Sequence, residues 1–347
     1  MQDKKVNSLS TKPLRVAVAG LGIGRRHLQA FRLLPAVEVV AVASRSESTV
    51  QQAQQEFQIP HGFTDVAQML DAVELDALSI CTPDRQHAEQ TLLALEAGLH
   101  VLCEKPLTTT LEEAATLVQR VRKSDRTVMV GQNFRFLPQF SQLQQRVKAG
   151  AIGELFLAES NYIQNLYAIA NRGPEHWRLR DPQDFYLGGA VHNVDLLRWV
   201  AGEIVEVHSY AKHIMPFYGL DDNYVSNLRF ASGAIGRLAL VLGARLKDKF
   251  QLDLRVYGPA GALSSSLAHS AVVEDADHLS GDKAVVSPVE PADAIALEVA
   301  HFVHCIRSGQ PPLCDIVEGA KNVAVCLAAI QSAQSGQPVT VDYSFLN

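Results

Sequence analysis

A glycine-rich turn near the start of the chain is the first feature whose residue types could do chemistry. It follows the apolar run Leu14–Ala19 and leads into a segment with helical periodicity. Glycines at such a strand-to-helix turn let backbone N–H groups approach a diphosphate at the N-terminus of the helix. Because the last glycine stands one residue earlier than in a GxGxxG pattern, a turn that binds nothing is the alternative. The residues expected to form a dinucleotide site are Gly20, Gly22, Ile23, Gly24 and Arg25.

The second apolar run, Val37–Ala43, ends at Ser44 and Arg45. Folds that select NAD usually carry an acidic residue here for the ribose diol, whereas a hydroxyl beside a guanidinium suits a 2′-phosphate. The sequence therefore predicts NADP as the cofactor, with NAD as the alternative. A solvated Arg45 at the start of a helix is the competing interpretation.

The first part of the chain alternates short β-rich runs with helical segments, which is typical of a parallel sheet built from βαβ units. One of these helices opens with Thr110 and Glu113, the spacing of a capping box. We predict a doubly wound Rossmann domain over residues 14–134, preceded by a flexible tail, residues 1–13. Its predicted strands are Leu14–Ala19, Val37–Ala43, Ala77–Cys81, His100–Cys103 and Thr127–Gly131.

Residues 135–347 show a different pattern of longer, consecutive alternating strands, which predicts an α+β domain with a large, mostly antiparallel open sheet. One face of such a sheet needs cover from helices or from another subunit, so we expect a homodimer or homotetramer formed through this sheet. The stretch Ser264–Pro291 is read as surface strands and loops. The predicted strands are Leu155–Tyr162, Val205–His213, Tyr224–Phe230, Ile235–Leu242 and Gln251–Tyr257.

The composition excludes several classes of protein. The 347 residues carry a net charge of −6 and no block of basic residues, which argues against nucleic acid as a partner. No apolar run approaches the roughly 20 residues that cross a bilayer, and the polar N-terminus lacks an export signal. The five cysteines form no CxxC pair, so we expect reduced thiols in a cytoplasmic protein and no metal site.

Four further motifs occur in a fixed order along the chain. They are Cys81-Thr82-Pro83 with His87, Glu104-Lys105-Pro106, Gln132-Asn133-Phe134-Arg135, and Gly188-Gly189 followed by His192 and Asp195. With the glycine turn ending in His27, this order resembles the Gfo/Idh/MocA oxidoreductase family over nearly the whole chain. The resemblance implies reversible hydride transfer between a nicotinamide and a secondary alcohol or hemiacetal of a sugar, cyclitol or related polyol.

The resemblance also implies roles for individual residues. Lys105 matches the family's catalytic lysine and His192 its acid/base histidine. This chemistry is sensible, because imidazole titrates near working pH and can take the hydroxyl proton while the lysine polarises the same oxygen. Further expected cofactor contacts are Thr82, Pro83, His87, Glu104, Gln132 and Asn133. Expected substrate contacts are Arg135, Tyr162, His176, Trp177, Arg178, Asp184, Tyr186 and Asp195.

One position departs from the family pattern. Gly188 stands where the family usually has an aspartate, four residues before His192. Asp184 or Tyr186 could supply the missing hydrogen-bonding group, and Asp195 could orient the histidine or pair with Arg198. The departure leaves two alternatives to a dehydrogenase: a dinucleotide-binding sensor or regulator without turnover, and a glycosidase of the same architecture that retains its dinucleotide and uses transient oxidation.

Overall fold

The computed structural model describes residues 12–346 apart from 168–170, 172, 174–175, 247–249, 269–270, 277–284 and 289–292. The chain forms two compact units, which are not continuous in sequence. The first unit contains the residues up to Glu104 together with Gln119–Gly131 and Ile295–Ile316, and the second contains Lys105–Val118, Gln132–Ala294 and the residues from Val317 onward. The chain therefore passes between the units several times.

The strands divide into two sheets. Six belong to the first unit: β1 (Leu14–Ala19), β2 (Val37–Ala43), β3 (His61–Phe63), β4 (Ala77–Ile80), β5 (His100–Glu104) and β6 (Val128–Gly131). Nine belong to the second: β7 (Leu157–Gln164), β8 (Ile204–Lys212), β9 (Asn223–Phe230), β10 (Ile235–Val241), β11 (Phe250–Gly258), β12 (Gly261–Ser266), β13 (Ala271–Ala276), β14 (Val285–Pro288) and β15 (Val339–Thr340).

The main helices are α1 (Gly24–Arg32), α2 (Glu47–Phe57), α3 (Val66–Ala72), α4 (His87–Glu96), α5 (Leu111–Val121), α6 (Pro138–Lys148), α7 (Val191–Ala201), α8 (Ala294–Ser308) and α9 (Ile316–Ser335). Capping side chains help to set where these helices begin. Ser46 accepts a hydrogen bond from Thr49 N at 3.3 Å and so caps α2. Within the described residues, no helix combines the length and the apolarity needed to span a bilayer.

The sheet of the first unit is parallel throughout, in the order β3-β2-β1-β4-β5-β6. This is the doubly wound Rossmann order, whose topological switch point lies between β1 and β4. Its central strands are buried along almost their whole length, as expected when helices cover both faces. The five predicted strands are confirmed to within a residue. The short edge strand β3 was not predicted, because three partly exposed residues show no usable periodicity.

The sheet of the second unit runs in the order β14-β13-β12-β11-β7-β10-β9-β8-β15 and is antiparallel except for the pair β7 and β10. The predicted mostly antiparallel open sheet is therefore confirmed. Along β9, Tyr224, Ser226, Leu228 and Phe230 are buried while the intervening side chains are exposed, so one face is packed and the other is open.

Helices α6 and α7 lie against the sheet of the second unit, α6 beside β12 and β13 and α7 beside β7 and β11. All residues of α7 are buried except Trp199 and Ala201, which is unusual for a helix and marks it as a core element. A buried helix holds its side chains in fixed positions. Residues at its start are therefore well placed to form a rigid site.

Candidate functional site

The three glycines of the turn after β1 each have a separate structural role. Gly20 has a φ of +87°, and a Cβ there would lie 2.3 Å from the Cys81 carbonyl oxygen. A Cβ on Gly24 would lie 3.0 Å from a Val18 methyl group, so α1 packs directly against β1. A Cβ on Gly22 would meet nothing within 4 Å. Tight turn, open approach and close helix packing are the three roles of the dinucleotide fingerprint, so the shortened spacing still provides a cradle for a diphosphate.

Two arginines expected at the cofactor site, Arg45 and Arg25, differ in what their side chains contact. Arg45 is exposed directly after β2, and the Ser44 amide donates to the Phe63 carbonyl at 3.0 Å. The Arg25 guanidinium instead donates to Gln52 at 3.1 Å and forms an ion pair with Glu56. Arg25 was expected to contact the cofactor through the turn. Its side chain contacts α2, so we expect Arg25 to contact the cofactor through its backbone.

Two other expected cofactor residues form a small scaffold after β4. His87 is fully buried, and its Nε2 lies 2.9 Å from the Thr82 carbonyl oxygen. The Thr82 hydroxyl donates to Gln90 at 2.7 Å. The imidazole of His87 therefore holds the loop that contains Thr82 and Pro83. This contact indicates that His87 positions the loop, and its expected contact with the cofactor stays a prediction.

A buried polar cluster that the sequence did not reveal lies in the same unit. His27 Nδ1 is 3.0 Å from the Ser79 hydroxyl and its Nε2 is 3.1 Å from Glu104 Oε1. Burial lowers the pKa of His27, but the neighbouring Cys81 sulfur and Glu104 carboxylate outweigh it and raise the pKa well above its usual value. A carboxylate oxygen of Glu298, a ring nitrogen of His27 and a carboxylate oxygen of Glu104 all lie within 4.8 Å of one another. Glu298 comes from α8, far away in sequence, so no local motif could indicate the cluster.

In the second unit, Lys105 meets the chain at Gly188. The Nζ of Lys105 donates to the Gly188 carbonyl oxygen at 3.0 Å. Gly188 lies in a π-helical turn, Tyr186–Ala190, that runs directly into α7. Short π-helical segments are frequent at functional sites. A backbone carbonyl therefore accepts the lysine hydrogen bond at the position where the sequence lacks an aspartate.

His192 lies four residues after Gly188, in the first turn of α7. It is 7% exposed, and its Nδ1 is 3.0 Å from Oε1 of Gln132, which follows β6. The Phe134 ring packs on the imidazole with centroids 4.4 Å apart and an interplanar angle of 34°. Positions 188 and 192 share one face of the helical segment, because residues four apart are neighbours on a helix. The Lys105 ammonium thus hydrogen-bonds to the helical segment about one turn before the residue that carries the imidazole, His192.

Comparison with known proteins identifies the family of the chain. Residues 14–132 match the model of an oxidoreductase family with an NAD-binding Rossmann fold, and residues 140–264 match the Gfo/Idh/MocA C-terminal domain. The chain belongs to the Gfo/Idh/MocA oxidoreductase family. As a member, it is a nicotinamide-dependent oxidoreductase that acts on CH–OH groups.

Individual relatives match over nearly their whole length. An uncharacterized oxidoreductase, YrbE, of Bacillus subtilis (strain 168) is 28% identical over 96% of this chain and 98% of its own. The scyllo-inositol 2-dehydrogenase (NAD(+)) of the same organism is 27% identical over 95% of this chain and 96% of its own. The solved structure of a levoglucosan dehydrogenase in complex with NADH superposes with a TM-score of 0.88 at 22% identity, covering 95% of this chain and 100% of that one. This last likeness concerns the fold.

Neither residue expected to replace the family's aspartate does so. Asp184 accepts hydrogen bonds from the Tyr186 amide at 2.8 Å and from the Tyr224 hydroxyl at 2.5 Å. The Tyr186 hydroxyl donates to Ser226 at 3.0 Å. Burial raises the pKa of Asp184 to about 6 despite these bonds. Both side chains stabilise the π-helical turn, and the acceptor for Lys105 is the Gly188 carbonyl.

Arg135 and Asp195, two of the expected substrate contacts, are bound to each other. The two form a bidentate ion pair with both N···O distances at 2.7 Å, and each side chain is 2% exposed. Asn322 Nδ2 donates to the same Asp195 carboxylate at 2.6 Å. Arg198, the other expected partner of Asp195, instead binds Glu203. This buried ion pair anchors α7, and substrate contact by either residue stays a prediction.

The remaining expected substrate residues lie on or near β7 and the short helical turn Trp177–Arg180. Tyr162 donates to Gln164 at 3.1 Å, and burial raises its pKa to about 12, although Arg178 lowers it. The guanidinium of Arg178 lies 5.2 Å from the centre of the Phe185 ring. His176 accepts backbone hydrogen bonds from this turn, and the side chain of Trp177 lies outside the described residues.

Proposed function

We propose that the protein is a dehydrogenase that transfers hydride between NAD(P) and a secondary alcohol of a sugar, cyclitol or related polyol. The observation that supports this most directly is that the Lys105 ammonium hydrogen-bonds to the π-helical turn at Gly188, four residues before His192 at the start of α7. Relatives named as inositol, apiose and levoglucosan dehydrogenases support the substrate class.

In this proposal, separate groups of residues bind the cofactor and act on the substrate. The glycine turn would hold the diphosphate of the dinucleotide, with Thr82, Pro83, Glu104 and Asn133 as further proposed contacts. When bound, the nicotinamide ring supplies the hydride acceptor. His192 takes the proton of the substrate hydroxyl, and the ammonium of Lys105 donates a hydrogen bond to the same oxygen as negative charge develops there. The alcohol thus loses a hydride and a proton and becomes a carbonyl.

For the finer cofactor preference we propose NADP ahead of NAD. Arg45 is exposed directly after β2, beside Ser44, and β2 carries no acidic residue at its end. A guanidinium binds a phosphate through charge-assisted hydrogen bonds, whereas it offers a ribose diol no acceptor. The NAD-specific name of the inositol dehydrogenase relative makes NAD the alternative.

Tyr162, His176, Trp177 and Arg178 are the proposed substrate contacts. Tyr162 is a buried hydroxyl on the packed face of β7, and its ring meets Phe250 edge to face at 4.9 Å. Aromatic rings with polar edges suit the mixed apolar and hydroxylated surface of a sugar. The proposed contacts therefore agree with a polyol substrate.

The proposal is tested by incubating the purified protein with either dinucleotide and a panel of sugars, inositols and their acids, and following reduced nicotinamide by absorbance. We expect turnover with at least one polyol and a dinucleotide that exchanges between cycles. Binding of dinucleotide without turnover across the panel would favour a sensor. Stoichiometric dinucleotide retained through purification, together with cleavage of glycosides, would favour the glycosidase.

We also propose a homo-oligomer formed through the open face of the sheet in the second unit. Tyr210, Val225 and Ile235 are 63%, 47% and 55% exposed, and the strand registers place all three on that face. Exposed apolar side chains grouped on one surface mark interaction sites. A cytoplasmic location is proposed as well, because all five cysteines are buried free thiols.

A further inference from the structure

The bond between Gln132 and His192 has a consequence for which nitrogen of the histidine is basic. An amide oxygen has lone pairs and no proton, so it can only accept a hydrogen bond. In the observed orientation of the Gln132 amide, Oε1 lies 3.0 Å from Nδ1 of His192, so Nδ1 donates this hydrogen bond and carries the proton. A neutral imidazole with its proton on Nδ1 has its lone pair on Nε2.

We infer that Gln132 is a positioning residue that holds His192 in the Nδ1–H tautomer and thereby makes Nε2 the atom that accepts the substrate proton. This inference rests on the proposed function, in which His192 is the base. Gln132 is 1% exposed, and the Phe134 ring packs on the imidazole, so the ring has little freedom to turn over. A fixed tautomer removes the cost of reorganising the base during the reaction.

An amide beside His192 affects the protonation of the imidazole differently from a carboxylate. A carboxylate on the second nitrogen orients a catalytic histidine and also stabilises its protonated form. An amide oxygen orients the ring in the same way but carries no charge. Since position 188 is a glycine, the orienting group comes from the end of β6 instead of from the start of α7, and it is neutral.

The charged residues close in sequence to Gln132 and His192, together with Lys105, have contacts of their own. Lys105 donates to the Gly188 carbonyl one turn before His192. Arg135, three residues after Gln132, and Asp195, three residues after His192, form their own buried ion pair. These groups are the same in wild type and in Gln132 variants, so a change in the titration of His192 on substitution reports the loss or the new charge of residue 132.

The amide nitrogen of Gln132, in the same orientation of the side chain, points to a ligand contact. Gln132 Nε2 is buried and has no hydrogen-bond partner among the described residues. Buried amide donors in folded proteins are nearly always paired. A ligand oxygen bound beside the histidine would accept a hydrogen bond from this nitrogen. The Gln132 side chain would then both orient the base and contact the ligand.

The test compares Gln132→Glu with Gln132→Met in the full-length protein. Histidine-selective 15N labelling identifies the ring tautomer by NMR, and a His192→Gln variant assigns the signal. We expect the Nδ1–H tautomer in wild type. In Gln132→Glu the titration midpoint of His192 should rise by about one pH unit or more, because an adjacent negative charge favours imidazolium. In Gln132→Met the single tautomer should be lost.

Kinetics supply the second readout. We expect the acidic limb of the kcat/KM profile to move to higher pH in Gln132→Glu, and kcat to fall by about 10²-fold in Gln132→Met. A proton on Nε2 in wild type, or a midpoint unchanged by Gln132→Glu, would overturn the inference. The NMR readouts need no turnover, so their failure is distinguishable from failure of the proposed dehydrogenase activity.

Discussion

At the scale of single residues, the site is defined by neutral groups where charged ones are common. The Gly188 carbonyl binds Lys105, and the Gln132 amide binds His192. The sequence identified Lys105 and His192 through their motifs and showed that position 188 lacks an aspartate. It could not identify the replacement, because a backbone carbonyl has no signature in the sequence and Gln132 is 60 residues from His192.

Arg45 provides the residue-scale prediction. Arg45→Ala should weaken NADP binding by about 10-fold or more while NAD binding changes by less than about 3-fold, because a charge-assisted contact to phosphate is worth about 1.5 to 3 kcal/mol. Isothermal titration with each dinucleotide measures both constants. The exposed Arg122→Ala serves as the control for a general change in charge. Equal losses for the two dinucleotides would show that Arg45 does not read a phosphate.

At the scale of elements, local sequence signals predicted boundaries well and long-range contacts poorly. The capping box that opens α5 is present as predicted, with Glu113 N donating to Thr110 Oγ1 and Thr110 N donating to Glu113 Oε2, both at 3.2 Å. The π-helical turn was not predicted, because it depends on Asp184 meeting Tyr224 from a distant strand. Such contacts have no periodicity along the chain.

The same turn gives a prediction about pH. The pKa of Asp184 is raised from 3.8 to about 6 on folding, chiefly by burial and also by nearby Asp221, so the folded protein loses stability as pH rises between these values. Asp184→Asn does not titrate. Its free energy of unfolding relative to wild type should therefore rise by about 2 kcal/mol between pH 4 and pH 7.

Urea unfolding at both pH values measures this difference, and Asp71→Asn, at an exposed position, is the matched control. The relative stability of Asp71→Asn should change little over the same interval. A flat difference for Asp184→Asn, or one of the opposite sign, would show that the carboxylate is not penalised by burial.

At the scale of the whole molecule, the pattern of residues was sufficient to predict both sheets and the family, since each follows from periodicity or motif order. The interleaving of the two units was not predicted, because α8 returns to the first unit from a position about 160 residues after β6. What covers the open face of the second sheet also cannot be read from one chain's pattern.

Val225→Glu tests that surface. A charge placed on the surface that carries the exposed apolar side chains of β8, β9 and β10 should weaken self-association, because burying an unpaired carboxylate in an interface is costly. Light scattering after size-exclusion chromatography should show a smaller species than wild type. Leu33→Glu changes an equally apolar, 72% exposed residue of the first unit and should leave the mass unchanged. A wild-type monomer, or identical masses for all three proteins, would contradict the proposed interface.

The most direct test of the account is the separation of turnover from cofactor binding in Lys105→Met. Because the proposed role of the ammonium is to bind the substrate oxygen, we expect kcat to fall by about 10³-fold or more while dinucleotide affinity stays within a few-fold. The exposed Lys123→Met should match wild type in both measurements. Parallel loss of binding and turnover in Lys105→Met, or turnover that survives the substitution, would contradict the central claim.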